Sequence, residues 1–209
     1  MRYFKFPKWL RRLYPGAVWE ILSTDNSKSI YLTFDDGPNH ATTEWILQLL
    51  QEYNAKATFF CIGKNVVKHP QLYADLQKGG HAIGNHTNEH LNGVNTNTKL
   101  YLQDIVKAGK EIDSKLFRPP YGKLKPKQYL ALRKKGFKTV FWSHISYDFD
   151  STLETDKRVE KALRLVKDGS IVVFHDSDKA FPQLESELPQ LMNVWQAEGY
   201  SFKAIPVSR

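Results

Sequence analysis

The sequence predicts a single α/β domain folded as a βα barrel, with seven strands alternating with helices. Short apolar runs and helical stretches alternate through 209 residues, with no internal repeat and no Gly/Ser/Pro-rich linker. Four polar clusters punctuate that alternation: Thr33-Phe34-Asp35-Asp36-Gly37-Pro38, His86-Thr87-Asn88-Glu89-His90, Arg118-Pro119-Pro120-Tyr121-Gly122 and Phe174-His175-Asp176. Three of the four directly follow an apolar run, and a βα barrel gathers the residues just past its strands around one rim. An open nucleotide-binding sheet is disfavoured, because the turn after the first strand is Asp35-Asp36-Gly37-Pro38 rather than a glycine-rich phosphate cradle.

The elements follow in order. Ser29 to Phe34 reads as a strand, and Thr42 to Tyr53 as a helix with Trp45, Ile46, Leu49 and Leu50 on one face. Ala57 to Ile62 is the second strand; a helix around Leu72 to Lys78 stops at Gly79-Gly80. His81 to Gly84 is a short strand that delivers His86. Thr98 to Ser114 carries Leu102, Ile105, Val106 and Ile112 at helical spacing, and Lys115 to Arg118 is a strand. Pro126 to Lys135 opens on a proline and closes at Gly136, before the strand Lys138 to Trp142. Thr155 to Val166 is helical, Ser170 to His175 a β-branched strand, and Leu184 to Glu198 a helix broken early by Pro189. Ser201 to Ile205 is the seventh strand.

Composition excludes little. The excess of 30 Lys+Arg over 22 Asp+Glu gives +8, which favours anionic surroundings such as phosphate-bearing glycans, nucleic acid or an acidic membrane surface. The basic residues read as scattered, and no RNA-binding aromatic signature or zinc-finger cysteine pattern occurs, so no nucleic acid is expected. Cys61 is the single cysteine, inside an apolar run, and reads as a buried thiol.

Residues 1–25 read as a basic amphipathic extension ahead of a domain at 26–209. The extension lacks the continuous apolar core of a secretory signal, and no stretch approaches the roughly 20 apolar residues of a membrane span. After Pro7 a helix is expected. It either lies on an anionic membrane or caps the barrel bottom with Trp9, Leu10 and Leu13. The default location is then cytoplasmic or membrane-peripheral, with export open and oligomeric state undetermined.

Each cluster permits definite chemistry. Adjacent carboxylates at a strand end point in different directions, so Asp35 and Asp36 are free to divide metal binding and proton transfer. His86 and His90, spaced i, i+4, share one face if that segment is a helix or helical turn. Two imidazoles and one carboxylate form a three-ligand set with an open position, suited to a catalytic divalent metal. Such a metal acidifies water and polarises a carbonyl. Arg118, on a proline-stiffened turn, would hold a carboxylate ionised; His175, closing an apolar strand, suits a general acid. Singly, each residue also has an ordinary role as helix cap, surface histidine, ion-pair partner or core group. Their joint placement at successive strand ends is what favours a site. His40, His69 and His81 are read as structural.

Together, Thr-Phe-Asp-Asp-Gly, His-Thr-x-x-His, Arg-Pro-Pro-Tyr-Gly and Val-Phe-His resemble the polysaccharide deacetylases of the NodB-homology type, the fourth carbohydrate esterase family, from about Ile30 to Ile205. The resemblance implies a distorted (β/α)7 barrel, TIM-barrel-like, that removes acetyl groups from N-acetylated glycans with one divalent metal: zinc, with cobalt or nickel as alternatives. It implies Asp36, His86 and His90 as metal ligands, Asp35 as the base that activates water, and His175 as the acid. It also implies the Tyr121 N–H as oxyanion donor and Arg118 as the tether of Asp35.

One motif departs from the family. Where Asp-x-x-Asp-Trp is usual, this chain reads Ile145-Ser146-Tyr147-Asp148-Phe149. Asp148 then becomes the candidate for holding Arg118. Phe149 and Val173 are expected to wall the acetyl pocket, and Pro119, Tyr121 and Trp142 to contact substrate, with Trp142 or Tyr121 stacking on a sugar. The sequence leaves two alternatives to an amino-sugar deacetylase acting on chitooligosaccharide or peptidoglycan: an acetyl-xylan-type esterase on the same scaffold, and a silent glycan-binding module. The retained Asp35 and His175 argue against the last, since binding needs neither.

Overall fold

A computed structural model of the chain describes residues 8–22 and 27–206. Its strands are β1 (Ser29–Asp35), β2 (Thr58–Cys61), β3 (Ala82–Asn85), β4 (Leu116–Phe117), β5 (Lys138–Thr139), β6 (His144–Ile145), β7 (Ile171–His175) and β8 (Ser201–Phe202). Its α-helices are α1 (His40–Glu52), α2 (Gly63–Lys68), α3 (Pro70–Lys78), α4 (Thr98–Ala108), α5 (Pro126–Lys134), α6 (Thr155–Leu165) and α7 (Phe181–Ala197). All strand pairs are parallel, in the order β5-β4-β3-β2-β1-β7-β6, with β8 beside the start of β1. The result is a curled, distorted (β/α) barrel in one domain, as the alternation predicts.

Strand pleating sorts the side chains. On β1, Ile30, Leu32 and Phe34 face the helices and join a core with Leu50, Leu188, Leu191 and Trp195. Tyr31, Thr33 and Asp35 alternate with them. Tyr31 belongs to the second core, inside the barrel, with Phe60, Phe117, Phe141, Ile171 and Val173. Parallel register then matches Asp35 with His175, one at the end of β1 and the other at the end of β7. The interior face thus turns from apolar to ionic at the strand ends.

β5 and β6 do not pair with each other. Residues 17–21 occupy that side: Val18 bridges Val140 in parallel, and Glu20 bridges Ser170 antiparallel. Trp19 stacks on Phe141 with ring centroids 4.3 Å apart, and Tyr14 donates to the Leu124 carbonyl at 2.5 Å. At Gly169 (φ +76°) a Cβ would lie 2.6 Å from the Ile21 carbonyl oxygen, so both the turn and the close approach require glycine.

Several expectations need correction. Leu13, offered as a cap of the barrel bottom, is exposed, whereas Tyr14 and Trp19 are buried in the interior core; the side chains of Trp9 and Leu10 lie outside the described residues, as does the boundary drawn between 25 and 26. The segment 8–13 is a 3-10 helix. α7 runs through Pro189 unbroken, because Leu184 and Leu188 before it and Leu191, Met192 and Trp195 after it are buried on one stripe. The helix expected to reach Ser114 ends at Ala108, before Gly109. α2 and β6 were not anticipated. Six and two residues are too short to show a period.

Candidate active site

Asp36, His86 and His90 converge. One ligand atom from each lies within 4.8 Å of the others, drawn from the β1 and β3 ends. His90 Nε2 is 3.1 Å and His86 Nε2 3.6 Å from Asp36 Oδ1, yet Oδ1 is buried without a hydrogen-bond partner. The two far ring nitrogens explain the arrangement. His86 Nδ1 lies 2.8 Å from the Arg118 carbonyl, which only accepts, so Nδ1 carries the proton and Nε2 offers its lone pair. His90 Nδ1 is held 3.1 Å from the Tyr121 hydroxyl. An orphaned carboxylate oxygen facing two imidazole nitrogens is a donor set that fits a divalent cation.

The protonation states agree. Burial pushes His86 down to about 4, the neutral, ligand-competent form. For Asp36 burial acts upward, but the close approach of His90 and the charges of His175, His86 and His90 outweigh it, leaving the carboxyl below its usual range.

His86 and His90 are not on a helix, contrary to the spacing argument. They flank a loop in which Thr87 (φ 68°) and His90 (φ 56°) are left-handed. Side chains build this loop. Asn85 Oδ1 accepts the Thr87 N–H at 2.8 Å, and Asp104 Oδ2 accepts the Asn88 and Glu89 N–H groups at 2.8 and 3.1 Å. Asp36 (φ 83°) and Tyr121 (φ 60°) share the left-handed strain. Each such residue costs about 1–3 kcal/mol and persists where its surroundings fix it.

Asp35, nearly buried, receives Arg118 Nη1 at 2.7 Å. Arg118 is fully buried and donates four hydrogen bonds. Thr33 Oγ1 accepts from Nη1 at 2.7 Å, the Val140 carbonyl from Nε at 3.3 Å and the Phe141 carbonyl from Nη2 at 3.1 Å. Its guanidinium lies over the Phe60 ring at 4.1 Å and near Trp142 at 5.9 Å. This corrects the part given to Asp148: backbone carbonyls and Thr33 orient the arginine.

Asp148 serves His175 instead. Oδ1 lies 2.7 Å from His175 Nδ1, and Oδ2 accepts the His175 N–H at 2.6 Å. Burial alone would lower this imidazole; the Asp148 charge and hydrogen bond, with Asp36 and Asp35 behind them, raise it to about 9. His175 is therefore a cation at neutral pH, with a proton on each nitrogen.

The expected substrate residues separate. Tyr121 is 60% exposed, with its ring 4.6 Å from His90, and has an open face. Phe149 is half-buried and meets His175 edge-on at 4.8 Å. Trp142 is only 8% exposed and forms part of the arginine's surroundings, so it presents no face for stacking on a sugar. Pro119 is buried in the turn beneath Tyr121, and Val173 belongs to the interior core.

Sequence reasoning missed the supports: Thr33, Phe60 and Asp104. Their signal was present for Asp104, a carboxylate on the otherwise apolar buried face of α4 with Tyr101, Ile105 and Ala108. Arg158 and Glu187, likewise charged at buried helical positions, pair at 2.6 Å between α6 and α7. The same guanidinium donates to the Asp150 and Leu153 carbonyls, next to the loop that carries Asp148 and Phe149.

A cation site flanked by a pinned carboxylate on one side and an imidazolium on the other defines a metal-dependent hydrolase, able to activate water and protonate a leaving group. The chain belongs to the polysaccharide deacetylase family, whose model, described as "Polysaccharide deacetylase", matches residues 23–140. It is thus a hydrolase, a glycan N-deacetylase by family, and that family is metal-dependent. A peptidoglycan-N-acetylglucosamine deacetylase of Bacillus cereus is 34% identical over 90% of this chain and 91% of its own length. A chitooligosaccharide deacetylase of Azorhizobium caulinodans is 30% identical over 88% of this chain and 95% of its own. The solved Bc1960 peptidoglycan N-acetylglucosamine deacetylase superposes with a TM-score of 0.86 at 28% identity, covering 96% of this chain and 95% of that one.

Proposed function

We propose that this chain removes acetyl groups from N-acetylglucosamine residues of peptidoglycan or of a chitooligosaccharide-like glycan, holding one divalent cation, zinc or alternatively cobalt or nickel, on Asp36, His86 and His90. The orphaned Asp36 Oδ1 between two imidazole nitrogens is the observation that carries this reading. When bound, the cation supplies Lewis acidity to the acetyl carbonyl and acidifies water.

The remaining work falls to the chain. Asp35, held in place by Arg118 at 2.7 Å, takes the proton of the attacking water. The Tyr121 N–H, fixed in its left-handed turn, donates to the oxygen that gains charge. His175, charged through Asp148, gives its proton to the departing amine. Phe149 walls the acetyl methyl, and Tyr121 offers a face to the sugar ring.

The test is acetate release. The metal-loaded protein, beside a His86→Ala/His90→Ala variant, is incubated with N-acetylglucosamine oligomers, peptidoglycan and acetylated xylan. Acetate from the amino-sugar substrates alone, lost in the variant, supports this reading. Acetate from xylan alone overturns it in favour of an esterase, and none from any substrate in favour of a binding module.

A further inference from the structure

The positive charge is not spread over this molecule. Residues 90–147 hold twelve Lys and Arg against three Asp and Glu, whereas the rest of the chain holds eighteen against nineteen. The whole net charge of +8 therefore comes from one stretch, not from scattered residues. That stretch contains α4 and α5, which pack together, and Asp104 of α4 holds the loop that carries His90.

The same stretch is apolar as well as basic. Of the ten large hydrophobic side chains exposed among the described residues, it supplies five: Val94, Leu100, Val106, Tyr121 and Leu130. Leu100 and Val106 on α4, and Leu130 on α5, are each more than half exposed, at 58%, 52% and 51%. An open groove of about 500 Å³ runs along the outer face of α4, floored by Leu102 and Val106 and edged by Lys99, Lys107, Lys110 and Lys135. Lys107 is shared with Glu89 at 3.4 Å. Among the described residues, Lys99, Lys110 and Lys135 enter no ion pair.

We propose that the α4–α5 flank docks on an anionic lipid bilayer surface, its lysines reaching the headgroup phosphates and Leu100, Val106 and Leu130 entering the interface. Charge complementarity selects an anionic partner. The exposed aliphatic residues among the lysines select a bilayer over a soluble polyanion, which has no apolar phase to receive them. Each lysine at such a surface adds attraction, its stem lying along the apolar residues while its head reaches the phosphates.

The experiment is co-sedimentation of the full chain with vesicles of phosphatidylcholine alone and of phosphatidylcholine mixed with phosphatidylglycerol. Binding is expected to the mixed vesicles only and to fall with salt. The Lys99→Glu/Lys110→Glu/Lys135→Glu variant is expected to bind at least ~10-fold more weakly, as three headgroup contacts are reversed. Leu100→Ser/Val106→Ser is expected to bind several-fold more weakly at unchanged charge. Both retain wild-type deacetylation of soluble oligomers and wild-type circular dichroism. Absence of binding overturns the proposal. So does binding unaffected by the lysine variant, which assigns it to the basic residues 1–14, and so does binding insensitive to the Leu/Val variant and competed by soluble polyphosphate, which assigns a polyanion.

Discussion

Asp148 grips His175 twice, with one carboxylate oxygen on Nδ1 at 2.7 Å and the other on the backbone N–H at 2.6 Å. The first contact sets the charge of the imidazole and the second its position. Both end on one residue, so the charge of His175 and its place on the rim are fixed together.

Removing that carboxylate charge is expected to disable proton donation. Asp148→Asn keeps the shape but withdraws the largest upward influence on His175, which then falls back under burial from about 9. We expect kcat to drop by ~10²-fold or more. The high-pH limb of the rate profile should move to lower pH while KM stays near wild type. An unshifted limb argues against His175 as the acid.

The same pair has a stability signature. The folded pKa of His175 is raised above its free value of 6.5. The stabilisation it contributes is therefore fully present below pH 6.5 and is lost as pH rises through about 9. Urea unfolding of the metal-free protein should show wild type losing stability over that window, and Asp148→Asn should flatten the loss.

Arg118 is the least replaceable residue of the site. Arg118→Met leaves Asp35 nearly buried without a countercharge, along with Thr33 and two carbonyls, and is expected to cost ~3–5 kcal/mol in chemical denaturation. If the variant is nearly as stable as wild type, the pinned-carboxylate account fails.

Metal affinity should depend on a residue that touches no cation. Asp104→Ala removes the acceptor of the Asn88 and Glu89 N–H groups and frees the loop that aims His90. We expect calorimetric metal binding to weaken by ~10–100-fold, as for other residues that support ligands. Unchanged affinity would show that Thr87 and His90 hold their strained geometry without it.

The Arg158–Glu187 pair separates stability from positioning. Arg158→Met alone is expected to lose ~3–5 kcal/mol, while Arg158→Met/Glu187→Met regains most of it, because a buried pair is replaced by apolar volume. The double variant still lacks the guanidinium that holds the Asp150 and Leu153 carbonyls beside Asp148. Its kcat should remain low, and full recovery of kcat would assign the pair to stability alone.

The residue types and their order were legible in the sequence because chemistry at a strand end needs little context. Asp35, Asp36, His86, His90, Arg118 and His175 follow apolar runs whose pleating and parallel pairing bring them to one rim. The seven strands read from those runs all stand in the structure; β1 to β4 are buried along their whole length, whereas Lys138–Thr139 and Ser201–Phe202 are partly exposed. Local spacing was a poorer guide. It placed His86 and His90 on a helical turn, whereas the side chains of Asn85 and Asp104, the latter from α4, bend that segment into a strained loop.

The sequence by itself determined the strand–helix alternation behind the barrel, through periodicity, and the net charge, through composition; its four motifs, by their resemblance to the family, supplied the candidate ligand and proton-transfer residues. Only the tertiary structure decided which carboxylate serves which partner. Asp148, assigned from the sequence to Arg118, went to His175, while carbonyls from residues 140 and 141 took the arginine. Hydrogen-bond partners in a buried site are settled by where the backbone oxygens and packed rings fall, and those positions are set by contacts distant in sequence.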